Sequence, residues 1–142
     1  MPAQILINNY DRSQLMLRNP FIHVESYTDS GSGSTLTTGT IMGKVFATGA
    51  LLPCKSDATD GSQIPIGVLA DTYVVTASAT IPVDLYIRGE VNSLLLVLAK
   101  VGDTLNTTVG VEGTGGTIRD LLIRNTEIMI IDSTDLSNLD NQ

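Results

Sequence analysis

The feature that most constrains this chain is a succession of short apolar runs cut by glycine. Residues 39–45 read Gly-Thr-Ile-Met-Gly-Lys-Val, residues 60–71 read Asp-Gly-Ser-Gln-Ile-Pro-Ile-Gly-Val-Leu-Ala-Asp, and residues 87–92 read Ile-Arg-Gly-Glu-Val-Asn. These runs carry no reactive grouping. They are too short for ordinary helices, and the glycines and prolines between them mark turns, bulges and edges, so the pattern predicts a β-rich module.

The strands follow from that punctuation. From Thr35 onward the pattern is extended, with Leu36, Thr38, Thr40 and Met42 on one face and Thr37, Gly39, Ile41 and Gly43 on the other, and residues 44–48 continue as a strand that Gly49 bends. Residues 51–54 are extended, with Pro53 marking an edge or an end. Asp60 and Gly61 form a turn signal before a strand over 64–69, in which Pro65 and Gly67 point to a bulge or an edge. Residues 73–76 and 81–91 complete the set. In the latter Val83, Leu85 and Ile87 alternate with Asp84, Tyr86 and Arg88, as in a half-buried strand. Residues 94–99 (Leu-Leu-Leu-Val-Leu-Ala) fit a strand or a short helical turn. One helix is expected over 117–125, with Thr117 as cap, Asp120 in its first turn, and Ile118, Leu121 and Leu122 on one face. Residues 127–131 are a final strand.

Three regions result. Residues 1–34 are an extended arm ending in the Gly/Ser-rich hinge 29–34. Residues 35–132 are a compact, mainly β, barrel-like body with one short late helix. Residues 133–142 are a polar acidic tail. The arm carries apolar clusters at Ile5, Leu6 and Ile7 and at Leu15 and Leu17, followed by Pro20 and then Phe21 and Ile22. Their place before a proline and a hinge assigns them to a partner rather than to the body, with an integral first strand pair as the rival arrangement.

Composition narrows the function. At 142 residues the chain is one domain with an arm, large enough to bury a core without staples. It is 42% hydrophobic and only 16% charged, with no Trp. So little charge leaves surface to be covered by Thr, Ser, Asn and Gly or by another subunit, and apolar surface marks contacts. The net charge of −7 and eight scattered Lys and Arg argue against nucleic-acid binding. Cys54 stands alone, which removes internal disulfides and Cys-based zinc clusters. The longest apolar run is far short of a membrane span, and the N-terminus lacks the basic start and apolar core of a secretory signal.

The motifs that look like chemistry fail in detail. Residues 39–45 imitate a phosphate loop, but three residues rather than four separate the glycines, and Val45 follows the lysine where Ser or Thr is needed. The glycine-rich 110–116 stretch precedes a helix without a dinucleotide fingerprint. Asp132, Asp135 and Asp140 do not fit a calcium loop, since Ser137 occupies its glycine position. His23, the one histidine, has neither a nucleophile elbow nor a neighbouring partner that would make a triad. No cofactor, no metal and no catalysis are expected.

In order and spacing the chain resembles the lambda-type head decoration proteins of tailed phages. The resemblance runs from Gly39 to Ile131. It rests on Gly43-Lys44-Val45, the Asp60-Gly61 turn, Ile64 to Leu69 with Asp71, Arg88-Gly89-Glu90-Val91-Asn92, and the late helix running into residues 128–131. It implies a structural virion protein made in the host cytoplasm. It further implies a homotrimer that binds the major capsid protein on the outer surface, at three-fold and quasi-three-fold sites, and stabilises the expanded head. The N-terminal segment would touch the capsid, with Ile5, Leu6, Ile7, Leu15, Leu17, Phe21 and Ile22 as its contacts. Neither nucleic acid nor membrane enters as a partner. The competing classes are a virion-surface adhesion or carbohydrate-binding β module and a small trimeric dUTPase-like hydrolase.

Overall fold

A computed structural model describes residues 14–110 and 115–132. Eight strands and one α-helix follow in chain order: β1 (Met16–Thr28), β2 (Ser34–Leu36), β3 (Ile41–Lys44), β4 (Leu51–Pro53), β5 (Pro65–Leu69), β6 (Tyr73–Val75), β7 (Thr80–Asn92), α1 (Ile118–Asn125) and β8 (Glu127–Ile131). The main sheet has the order β1-β7-β5-β3-β4, and β8 joins β7 in parallel. Strands β2 and β6 form a separate antiparallel pair. The body is mainly β with one helix, as the glycine punctuation predicts. It is not a closed barrel. The sheet curls until the Lys44 ammonium on β3 meets the Glu25 carboxylate on β1 at 2.9 Å, but no ladder joins β1 to β4.

Both faces of the central strands are buried. Successive residues of a strand point to opposite faces, and the neighbours Ile41 and Met42, like Val68 and Leu69, fall into different core clusters. One cluster lies under the helix, where Ile118, Leu121 and Leu122 meet Ile41, Val68, Val91, Ile128 and Ile130. The other lies under the β2–β6 pair, where Leu36 and Val75 meet Met42, Leu51, Leu69, Val83 and Leu85. Two-sided burial is why these strands read as apolar runs rather than as alternating ones.

The helix forms where its capping residues place it. The Thr117 hydroxyl accepts from the Asp120 amide at 3.1 Å, and the Leu105 and Thr107 carbonyls accept from Arg119 and Ile118. Thr126 closes it, its amide donating to the Leu122 carbonyl at 3.1 Å. Burying each of its three core side chains contributes about 1.5–3 kcal/mol.

The structure redraws three stretches. The strand expected over 35–43 is broken at residues 37–40, where the Thr40 hydroxyl and amide both donate to the Thr37 carbonyl. Strand β3 stops at Lys44, so Phe46 and Thr48 lie in a turn rather than in a strand. In the leucine run, Ser93–Leu95 is a 3-10 turn, and Val97 alone bridges to Thr40 in parallel.

The segment 29–34, which composition reads as a hinge, is fastened by the buried Asp29 carboxylate. Ser34 Oγ donates to Asp29 Oδ1 at 2.7 Å, and the amides of Gly31 and Gly33 each donate to Oδ2 at 2.8 Å. The Ser34 hydroxyl, then these amides, hold the Asp29 carboxyl far below the usual carboxylate range.

Candidate interaction surface

Among the described residues, strand β1 lies at the edge of the main sheet and pairs with β7 alone. Its second half is regular, from Ile22 opposite Tyr86 to Thr28 opposite Thr80. Its first half is irregular, with register shifts at Arg18 and Phe21 and a left-handed Asn19 (φ 58°) before Pro20. Asn tolerates that conformation better than most residues.

The inward side of the regular half is fixed. Tyr27 is buried, and Glu25 accepts from Lys44 at 2.9 Å and contacts His23 Nε2 at 3.1 Å. Burial raises the Glu25 carboxyl, but the hydrogen bond and charge of Lys44, with His23, outweigh it and leave the group below its ordinary value. Outward, the strand leaves Phe21 55%, Ile22 46% and Val24 59% exposed. Three large apolar side chains in four positions of one edge strand form a contact-competent patch.

The expected contact residues therefore separate. Phe21 and Ile22 stand on this exposed strand. Leu17 is half-buried, and Leu15 turns inward and packs with Met16 against the helix-side core, while its carbonyl accepts from the Asn92 amide at 2.8 Å. Leu15 therefore has a place in its own core. Ile5, Leu6 and Ile7 lie outside the described residues. Val24 was missed, though its spacing of two from Ile22 signals a shared face. Phe46, 75% exposed at a turn, is a separate apolar point.

The Arg-Gly-Glu-Val-Asn stretch in β7 is structural throughout. Arg88 pairs with Glu127 at 3.3 Å, and Glu90 takes a two-pronged bond from Arg18 at 3.0 and 3.1 Å. Val91 is buried, and the Asn92 side chain caps the 3-10 turn by accepting from the Leu94 amide at 3.1 Å. Gly89 has φ +128°, and a Cβ there would stand 2.8 Å from Met16 Sδ and 2.9 Å from the Arg18 carbonyl oxygen. Only glycine lets β1 cross this point.

One cluster mimics a catalytic grouping. Ser56 Oγ donates to Asp103 Oδ1 at 2.7 Å and its amide to Oδ2 at 3.0 Å, with Lys100 Nζ at 3.4 Å from the hydroxyl. The serine proton is committed to the carboxylate, and Lys100 lies 3.5 Å from Asp57, so the cluster fastens two loops. Nearby Cys54 is buried, its thiol pushed up to about 12 by burial and then by the Asp103 charge. Among the described residues, no three His, Cys, Asp or Glu side chains gather as a metal site, and no helix is long and apolar enough to cross a membrane.

A β body with an apolar edge strand presents a face suited to contact with another protein. Residues 28–113 match the family model described as bacteriophage lambda head decoration protein D. The chain belongs to that family, a structural capsid decoration family rather than an enzyme family, and its place is the phage capsid. No curated protein matches it.

Proposed function

We propose that this decoration protein, made in the host cytoplasm, binds the outer capsid surface as a homotrimer at three-fold and quasi-three-fold sites and stabilises the expanded head. The observation that carries the reading is the exposed trio Phe21, Ile22 and Val24 on an edge strand of a charge-poor chain. The N-terminal segment 1–34, whose residues 16–28 are an edge strand of the body, supplies the contact face. Ile5, Leu6, Ile7, Leu17, Phe21 and Ile22 face the major capsid protein, whereas Leu15 anchors the arm's base to its own core. An edge strand offers main-chain bonds for affinity and side-chain pockets for specificity. Closed cyclic symmetry suits a three-fold site. Neither nucleic acid nor membrane takes part, and no cofactor is needed.

A ligand selective for the expanded shell stabilises it by mass action, about 2.7–4.1 kcal/mol per site at 100–1,000 times its Kd. Co-sedimentation with immature and expanded undecorated capsids tests the reading. Binding to the expanded shell alone, with decorated shells surviving heat better than bare ones, is the expected result. Equal survival, or a protein that sediments as a monomer both free and on shells, overturns it.

A further inference from the structure

Residues 60 and 61 are the one Asp-Gly pair in the sequence. Such a pair is chemically fragile, because glycine has no side chain to keep its backbone nitrogen away from the preceding carboxyl carbon. The Gly61 nitrogen attacks Asp60 Cγ, the bond from Cγ to its hydroxyl breaks, and the hydroxyl leaves with the nitrogen's proton as water. A five-membered succinimide results. Water then adds to one of its two carbonyls. Opening at the Cγ carbonyl restores aspartate, whereas opening at the backbone carbonyl leaves the chain running through Cγ, as isoaspartate. One water leaves and one returns, and nothing is oxidised or reduced.

The fold opposes each requirement of that reaction. The hydroxyl leaves from a neutral carboxyl, but Asp60 Oδ1 accepts from Ser62 Oγ at 2.6 Å and from the Ser62 amide at 3.0 Å. These bonds, the hydroxyl's first, hold the Asp60 carboxyl below its ordinary value and so keep it ionised. The attacking nitrogen must shed its proton, which it donates to Gln63 Oε1 at 2.8 Å. The peptide unit must also turn to bring that nitrogen onto Cγ. Its carbonyl, on Asp60, accepts from the Phe46 amide at 2.8 Å, and a Cβ on buried Gly61 would lie 2.6 Å from the Phe46 ring. Asp60 itself is exposed, so water reaches the site once the turn opens.

We propose that Asp60–Gly61 is a covalent modification site, a place of spontaneous aspartate isomerisation, which Ser62, Gln63 and Phe46 hold closed in the folded protein. Reaction proceeds through local opening of this turn. Isoaspartate adds a backbone carbon between Asp60 Cα and Gly61 and carries the carbonyl away from the Phe46 amide, so a turn that has reacted does not close again. This inference stands apart from the capsid reading.

The test ages the full-length protein at about pH 6, with and without urea, where an ordinary aspartate is mostly ionised. Isoaspartyl methyltransferase with labelled S-adenosylmethionine counts the product, and electron-transfer fragmentation of the peptide places it. The folded protein should form isoaspartate at residue 60 at least about tenfold more slowly than the protein in urea. Folded Ser62→Ala and Gln63→Ala should react faster than the native protein, while in urea the three rates should nearly coincide. The native rate should also begin to fall at a lower pH than the rate in urea, because the folded carboxyl ionises at lower pH. Circular dichroism verifies folding, and Gln63→Ala, at a half-buried position, decides alone where Ser62→Ala does not fold. Equal rates with and without urea, folded variants that keep the native rate, or isoaspartate confined to other positions overturn the proposal.

Discussion

The Ser78 amide donates to Asp29 Oδ2 at 3.1 Å, joining residues 49 apart in the chain. Ser78 stands in the left-handed region (φ 60°) in the turn before β7, and Asp29 directly follows β1. One carboxylate thus closes both the turn that leaves the edge strand and the turn that enters its partner.

That carboxylate makes stability depend on acid. Its folded value is lowered from about 3.9 in the unfolded chain. Its contribution is therefore complete above about pH 4–5 and declines as pH falls through the folded value. Asp29→Asn should lower Tm most at pH 6–7, and the gap from the native protein should narrow steadily below about pH 4. Thermal melts across pH 2–7 check this, and a gap that widens toward acid contradicts it.

Gly89→Ala should cost about 2 kcal/mol or more, because it adds both backbone strain at φ +128° and a collision with the Met16 sulfur and Arg18 carbonyl. Urea titration measures it. Gly49→Ala, where φ is +73° but nothing lies within 4 Å, should cost less, and the difference isolates the collision.

Leu122→Ala should lower stability by about 2–5 kcal/mol, since the side chain is fully buried between helix and sheet and leaves a cavity. Ile123→Ala, on the exposed side of the same helix at 46%, should change it by less than about 0.5 kcal/mol. Equal effects would contradict the helix orientation.

Cys54 should resist iodoacetamide at pH 8, because the thiolate is scarce at a value of about 12 and the group is buried. Labelling should become rapid in denaturant. Mass spectrometry of intact protein after timed exposure reads both rates.

Replacing Phe21, Ile22 and Val24 each by Asp should leave the fold intact, since all three are exposed. Capsid binding should weaken by roughly 10–100-fold for each side chain that the capsid buries, from about 1.5–3 kcal/mol apiece. Co-sedimentation reads the loss, and unchanged binding would remove β1 from the interface.

Much of the fold was legible because local rules agreed with global ones. The helix was visible in Thr117, Asp120 and the Ile118, Leu121, Leu122 spacing. Strands β5, β7 and β8 appeared at nearly their true bounds. What stayed hidden is non-local. Nothing in residues 34–36 and 73–75 announces that they pair away from the main sheet. The Gly/Ser stretch reads as loose because its anchor is a carboxylate meeting Ser78 across the fold. Leu15 could not be told from Leu17 by type, since only the packed fold shows Leu15 joining the helix-side core. The arginine motif was recognised by its order, while the need for Gly89 became visible only with β1 lying across it.

Strand β7 pairs with β1 on one side and with β5 and then β8 on the other. Its last five residues receive their second partner only from Glu127–Ile131, the final strand among the described residues. A nascent chain halted before that point leaves Arg88–Asn92 half-paired and Val91 without Ile130 beside it. The sheet is whole only once residues 127–131 are present, so a copy cut short before them keeps an open edge along Arg88–Asn92.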